Sequence, residues 1–337
     1  MTAITAVRAD HLSRAGRLTW ATWRQHRMAL AGVVTLMAAA GVLLLVNGLA
    51  ARSDYSRLGL ASCGILTGRD CGIPLSAFRQ KYGPWAQIVP ASLMFIPGLV
   101  GMFVGAPLIA RELESGTFRF AWTQSRRRDR LVLNKLTLLG AVLTALAVGF
   151  SVLFSWWFQP WLPLMGRMNP GGAYEMSGVV FAARTLFALL LGALIGAVLR
   201  RTVIAMAVAG ATWLGVVWSS VMYLRPLIMH PLVLPVGSPL NKADGWTVNS
   251  WVQDAAGHRF DAKSSQFADL LRRAQSDGVG SNTPWRTWMA NHHYSQWDAY
   301  QPASRFWHFQ AVEAGAYAVL ALLLAAATTW WVRRRAA

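Results

Sequence analysis

The side chains able to do chemistry in this chain are few, and they fall in three places. The densest is Arg111 to Leu136, RELESGTFRFAWTQSRRRDRLVLNKL, which carries seven Lys and Arg residues in 26 positions. Arg111, Arg119, Arg126, Arg127, Arg128, Arg130 and Lys135 share it with an acidic turn, Glu112-Leu113-Glu114, and a Gly116-Thr117 break. A helix-turn with Glu112 and Glu114 beside Arg126–Arg130 offers both signs of charge to a soluble domain. The same arginines also suit a plainer role, fixing topology and touching anionic headgroups. The second place is Arg184 and Glu313, each inside a long apolar run. Ionisable groups there are functional candidates, because charge in lipid is expensive. Both lie close enough to the ends of their runs to snorkel; equally, they can pair at one depth or line a substrate path. The third is Cys63 and Cys71, eight residues apart in one short loop. An oxidising compartment would close that loop as a disulfide, the alternative being two free thiols.

Catalytic constellations are otherwise missing. The sequence has no G-x-x-x-x-G-K-[ST] phosphate loop, so the chain is not expected to bind ATP in that manner, and it has no H-E-x-x-H. His292-His293 before Tyr294 lies in a Trp-rich stretch and reads as surface polar groups, not metal ligands. No catalytic residue and no metal site is expected.

The elements that must position these residues are membrane helices. The chain is 55% hydrophobic and only 14% charged, against roughly a quarter charged in soluble domains; mean hydropathy is +0.36. The formal charge of +18 sits mainly at the ends of apolar runs. That is a topological pattern and not a nucleic-acid patch, so no nucleic acid is expected as a partner. Runs of about 20 residues suffice to span the bilayer core. Six are read: 28–50, 88–110, 137–158, 178–199, 203–224 and 311–332.

With the N-terminus cytoplasmic, the inside segments 1–27, 111–136, 200–202 and 333–337 hold 17 Lys and Arg in 61 residues. The short outside loops 51–87 and 159–177 hold 6 in 56. This excess, about threefold, predicts both termini inside. The first apolar run, at 23 residues, exceeds a signal-peptide core of roughly 7–15 and reads as a retained helix. Residues 1–27 form a cytoplasmic segment in which His11–Arg27, with Trp20 and Trp23 among its arginines, predicts a helix lying in the interface plane. Trp156, Trp157, Trp161, Trp307, Trp330 and Trp331 fall at helix ends, as interfacial anchors do.

Residues 225–310 make the longest polar segment, an extracytoplasmic loop or small cap. It opens on an apolar stretch broken by Pro226, Pro231, Pro235 and Pro239, which prevent a continuous helix. Ala262–Ser276 reads as a helix with Phe267, Leu270 and Leu271 on one face. Residues 311–337 hold the sixth helix and a basic tail. Gly101–Gly105 and Gly192–Gly196 have the G-x-x-x-G spacing that lets helices approach closely. The expected fold is thus an all-α polytopic membrane protein with six transmembrane helices, 28–224 holding the first five.

In its context the charged stretch resembles the membrane subunits of type-2 ATP-binding-cassette exporters, the ABC-2 permeases. There an R-E-x-E-x-G-T element, here Arg111 to Thr117, follows the second helix and leads through a short helix to a Lys, here Lys135, opening the third. LTWATWRQHR before the first helix is similar to the family's interfacial helix in high-GC bacteria, and 28 Arg against 4 Lys suits such a genome. The 225–310 segment is longer than the family's usual last outside segment. The resemblance implies a permease in a bacterial plasma membrane without its own ATPase or cofactor. ATP and Mg would be bound by a separate ABC ATP-binding subunit, and a second permease chain, identical or not, would complete a path for a hydrophobic or amphipathic substrate. Glu112, Glu114, Gly116 and Thr117 would form the ATPase-coupling loop; Arg126, Arg127, Arg128, Arg130 and Lys135 would lock topology. The alternatives are a membrane-embedded enzyme and a ligand-sensing membrane protein, either one using the 225–310 loop.

Overall fold

The computed structural model describes residues 2–60, 72–116, 128–236, 245–262, 264–280 and 284–335. Among these residues six helices are long and apolar enough to cross a membrane: Arg27–Arg57, Gly72–Glu114, Leu131–Trp161, Val180–Leu199, Thr202–Leu227 and Ala303–Arg334. They alternate in direction. One end of the bundle therefore gathers the N-terminal segment, Glu114, the Arg200–Arg201 turn and Arg333–Arg335; we call it the basic end. The other, the cap end, gathers the 162–179 connection and the polar residues after Leu227.

Several helices run past their apolar cores. The first span continues one helix from Thr2 to Arg57, so the expected interfacial helix is not set off as a separate element. Nothing in that stretch breaks it: it has no proline and is rich in Ala, Leu and Arg, all strong helix formers. The second span starts at Gly72, not near residue 88. Its polar first turns lie along the first span, where Lys81 Nζ and the Tyr82 hydroxyl both donate to Asp54 Oδ2, at 2.6 and 2.8 Å. Pro97, which has no amide to donate, follows a break in this span at Met94–Phe95. A π-helical turn, Gly101–Gly105, comes next.

The fourth span is the hub. Of its most apolar window 67% is buried, against 22–39% for the first, third, fifth and sixth spans. The two glycine pairs explain how the second span reaches it. A Cβ on Gly192 would stand 2.2 Å from the Gly101 carbonyl oxygen, and one on Gly105 2.4 Å from that of Leu189. Backbone meets backbone there, and no side chain fits.

The all-α expectation fails beyond Leu227. Four strands, β1 (Leu232–Pro235), β2 (Trp246–Gln253), β3 (Arg259–Asp261) and β4 (Ser295–Gln301), form an antiparallel sheet in the order β1-β4-β2-β3. Helices Ser265–Ser276 and Trp285–Asn291 pack on it around Val252, Leu270, Trp288 and Met289. Strands arise because Trp, Val and Tyr suit a half-buried pleated surface, and Pro235 is tolerated at the end of an edge strand. This small cap is seated on the bundle. Trp246 meets Phe309 edge-on at 6.4 Å, and Gln301 Nε2 donates to the Met229 carbonyl at 2.6 Å. Two tryptophans expected at the lipid interface, Trp157 and Trp161, are instead buried. Trp157 Nε1 donates to Asn47 Oδ1 at 3.0 Å, and Trp161 stacks on Phe78 at 4.8 Å.

The glycine contact yields a direct expectation. Gly192→Ala should destabilise the protein by about 1–3 kcal/mol or more through overpacking against backbone. Gly215→Ala, whose Cβ would meet nothing within 4 Å, should stay within about 0.5 kcal/mol of the parent. Unfolding of both variants in detergent checks this; equal stabilities would refute the close-contact account.

Candidate functional site

The structure joins four ionisable side chains inside the cap-end half of the bundle. Arg184 on the fourth span is 2% exposed, Arg225 at the end of the fifth 1%, Glu313 on the sixth 4%, and Glu175 in the 162–179 connection 2%. Arg184 Nη2 donates to Glu313 Oε1. Arg225 is shared: Nη1 donates to Glu175 Oε1 at 2.8 Å, and Nε to Glu313 Oε2 at 3.2 Å. Two arginines thus face two carboxyls in a formally neutral quartet. Its flanks are aromatic, with Arg225 lying 4.1 Å over the Tyr174 ring and Arg184 5.3 Å over that of Tyr317.

Local backbone features aim these groups inward. A π-helical turn at Ser220–Leu224 immediately precedes Arg225, an insertion of a kind frequent at functional sites. Glu175 is fixed by its own turn, where the Gly172 amide donates to Glu175 Oε2 at 2.8 Å. Gly172 has φ +128°, and a Cβ there would stand 2.3 Å from the Pro90 backbone carbon, so only glycine fits. Burial pushes the Glu175 carboxyl up, but Arg225, then Arg184 and the Gly172 amide, outweigh it and hold it below the usual range. The two arginines thus favour the charged form of Glu175. Burial, reinforced by Glu313, pushes the Tyr174 hydroxyl up. Side chains of the third and sixth spans bond several backbone groups of the connection and of the residue after it: Ser151 Oγ donates to the Met176 and Gly178 carbonyls, and Gln310 accepts from the Val180 amide and donates to the Tyr174 carbonyl.

Two apolar grooves reach the quartet from the membrane side. One, of about 460 Å³, lies between the second and fifth spans and has Glu175 among its lining residues. A smaller one, about 140 Å³, opens between the fifth and sixth spans at Arg225 and Glu313.

A second cluster closes the basic end. Glu112 pairs with Lys135 at the start of the third span. Glu114 Oε2 accepts from the Thr202 amide at 3.0 Å, a carboxylate at a helix N-terminus, where the helix dipole favours it. Ser115 Oγ donates to the Arg111 carbonyl at 2.8 Å, and Gly116, with φ +70°, ends the helix. The two glutamates therefore tie the second span to the third and fifth instead of projecting freely. Beside them opens a cleft of about 830 Å³, with Met28, Pro107, Arg111 and Thr202 in its walls.

The structure thus brings together Arg184 and Glu313, and separately Glu112 with Lys135. Arg128 and Arg130 begin the helix that carries the third span. Thr117, Arg126, Arg127, Cys63 and Cys71, and with them the expected disulfide, lie outside the described residues. His292 stacks on Trp288 at 4.3 Å. Among the described residues no three His, Cys, Asp or Glu converge into a metal-sized group. Sequence reasoning missed Arg225 and Glu175. The signal was present, since each is a charged residue within a few positions of an apolar run.

Fold and site together define a multi-pass helical membrane protein with charged groups paired inside its bundle and a small folded cap. A family model described as ABC-2 membrane transporter related matches residues 33–225, more than half of the chain, and the protein belongs to that family. It is an ABC-2-type transporter permease. No curated protein matches the chain.

The quartet's neutrality can be tested by stability. Glu313→Gln leaves two buried arginines facing one carboxylate and should cost about 3–5 kcal/mol. Adding Arg184→Met restores the balance, leaving Arg225 on Glu175, and should recover part of that loss. A double variant no more stable than Glu313→Gln alone, in thermal unfolding, would contradict charge matching.

Proposed function

We propose that this permease is the membrane subunit of an ATP-driven exporter in a bacterial plasma membrane. A separate ATP-binding subunit binds ATP and Mg, docks at the basic end, which is cytoplasmic, and drives efflux of a hydrophobic or amphipathic substrate. A second permease chain, identical or different, completes the pathway. The cap lies on the extracytoplasmic side. The observation that carries this reading is the junction at Glu112 and Glu114, because those two side chains bind three spans together beside an open cleft. A domain pressing there acts on the ends of several helices at once.

Family membership supports a transporter. The Lys and Arg excess at the basic end supports its orientation, and the groove between the second and fifth spans, almost wholly apolar, supports an apolar cargo. The glycine contact gives a mechanical route. Where the second and fourth spans touch backbone to backbone they move as one body, so a push near Glu114 is delivered to the span carrying Arg184. Glu112 and Glu114 thus act by holding helix ends in register, in addition to any contact with the partner.

Co-purification with the ATP-binding-cassette subunit of its genomic neighbourhood, followed by ATPase stimulation with a panel of amphipathic compounds, tests the assignment. Glu112→Lys should lower stimulated ATPase and export about fivefold or more, the range of an ordinary coupling energy, with membrane insertion intact. Combining it with Lys135→Glu re-forms the pair and should restore much of the activity. Full activity in Glu112→Lys would remove the coupling role, and failure of any ATPase to co-purify would remove the exporter reading.

A further inference from the structure

A third groove, of about 450 Å³, lies at the cap end between the third span, the 162–179 connection and the sixth span, and nothing in the transport reading uses it. Its walls are apolar: Val148 and Val152 are exposed on the third span, and Trp307, 59% exposed, stands on the sixth. Its charged and amide side chains, Arg167 and Gln159, sit at one end, in or beside the 162–179 connection, while the Ser151 and Ser155 hydroxyls along the third span donate to backbone carbonyls. From Gln159 to Val148 is about 16 Å along a helix, so the groove runs from headgroup depth into hydrocarbon.

Arg167 differs from the arginines of the quartet. Its guanidinium lies 4.4 Å over the Phe306 ring, which covers one face and leaves the N–H edge to donate. It forms no ion pair among the described residues, and no Asp or Glu lines the groove. Gln159 Oε1 accepts from Arg52 Nη2 at 3.0 Å, so the group it can offer the groove is its amide N–H. Arg52 in turn lies 4.6 Å over the Trp156 ring. Aromatic rings beside basic side chains are the signature of headgroup level. A cation and an amide donor thus sit at the top of an apolar trough open to lipid, with no carboxylate among the described residues lining it to balance them.

We propose that this groove is a binding site for an anionic phospholipid of the surrounding bilayer. The phosphate accepts from Arg167 and the Gln159 amide, and one acyl chain lies along Val152 and Val148 between the third and sixth spans. Net-anionic headgroups are preferred over zwitterionic ones because the site carries one uncompensated positive charge. The site is independent of what the transporter carries and of which ATPase drives it.

Native mass spectrometry of the full-length protein in mild detergent, titrated with dioleoylphosphatidylglycerol or dioleoylphosphatidylcholine, tests this. The parent should hold one tight phosphatidylglycerol adduct in preference to phosphatidylcholine. Arg167→Gln should weaken that adduct about tenfold or more, the loss expected for hydrogen bonds to a charged group, with its unfolding temperature unchanged. Arg167→Lys keeps the charge and should retain the preference. Val152→Trp, at an exposed wall position, fills the trough and should weaken both lipids while Arg167 is intact. Equal binding of the two lipids by the parent, or parent-like phosphatidylglycerol binding by Arg167→Gln, overturns the proposal. A changed oligomeric state in Val152→Trp with lipid binding untouched also overturns it, and would assign the groove to a second copy of the chain.

Discussion

The arrangement at the cap end depends on one guanidinium. Arg225 is almost fully buried and is shared between Glu175 and Glu313, so three separate pieces of chain must meet it: the fifth span, the sixth span and the 162–179 connection. Arg184 brings in the fourth. In a bundle surrounded by lipid no water replaces a lost partner, and an arginine left alone there is far costlier than one on a soluble surface. Removing one member of a buried pair is strongly destabilising, whereas the intact pair adds little net stability over apolar packing. The quartet therefore works mainly by excluding alternatives: any register of these helices that separates the four groups leaves charge unmatched. Several neighbouring features serve that end, including the π-turn before Arg225, the Gly172 turn under Glu175, and Gln310 holding the connection to the start of the fourth span.

How much of this is legible in the sequence depends on what hydropathy measures. Six apolar runs are visible because a spanning helix must be apolar over about 20 residues. Arg184 and Glu313 stand out because they interrupt such runs. Arg225 and Glu175 do not, since a hydropathy reading stops at the first charge and assigns the residues beyond it to a loop. Whether a terminal arginine turns out toward headgroups or in toward a carboxylate is decided by local helical pitch, and a π-turn such as Ser220–Leu224 carries no compositional mark. The glycine spacings are readable as close-packing motifs, but not which pair meets which. Trp157 and Trp161 show the opposite error. Position at a helix end suggests lipid contact, while Asn47 and Phe78 on other helices supply interior partners. The cap escapes a sequence reading because β2 and β4 mix polar residues with Trp and Tyr, and their apolar side chains are divided between a small core of the cap's own, around Val252 and Trp288, and the bundle, through Trp246 and Phe309.

The two ends of the bundle are held by interactions of different strength, and this constrains how it can move. At the basic end the ties are partly exposed, Lys135 with 15% and Glu112 with 22% of the side chain open to solvent. Water can substitute for such contacts, whose net worth is commonly no more than about 1 kcal/mol when fully exposed. At the cap end the quartet has no such substitute, and separating it costs several times as much. Between them the second and fourth spans are in backbone contact through four glycines, which leaves little freedom to slide or bend independently. The low-cost motion of such a body is therefore a splaying of helix ends at the basic side about a fixed point near Arg184 and Arg225. Breaking the quartet first would be the more expensive route. On the proposed reading, a partner that binds only at the basic end acts there with interaction energies of ordinary size, and the buried charges at the far end favour a rotation over a general loosening of the bundle.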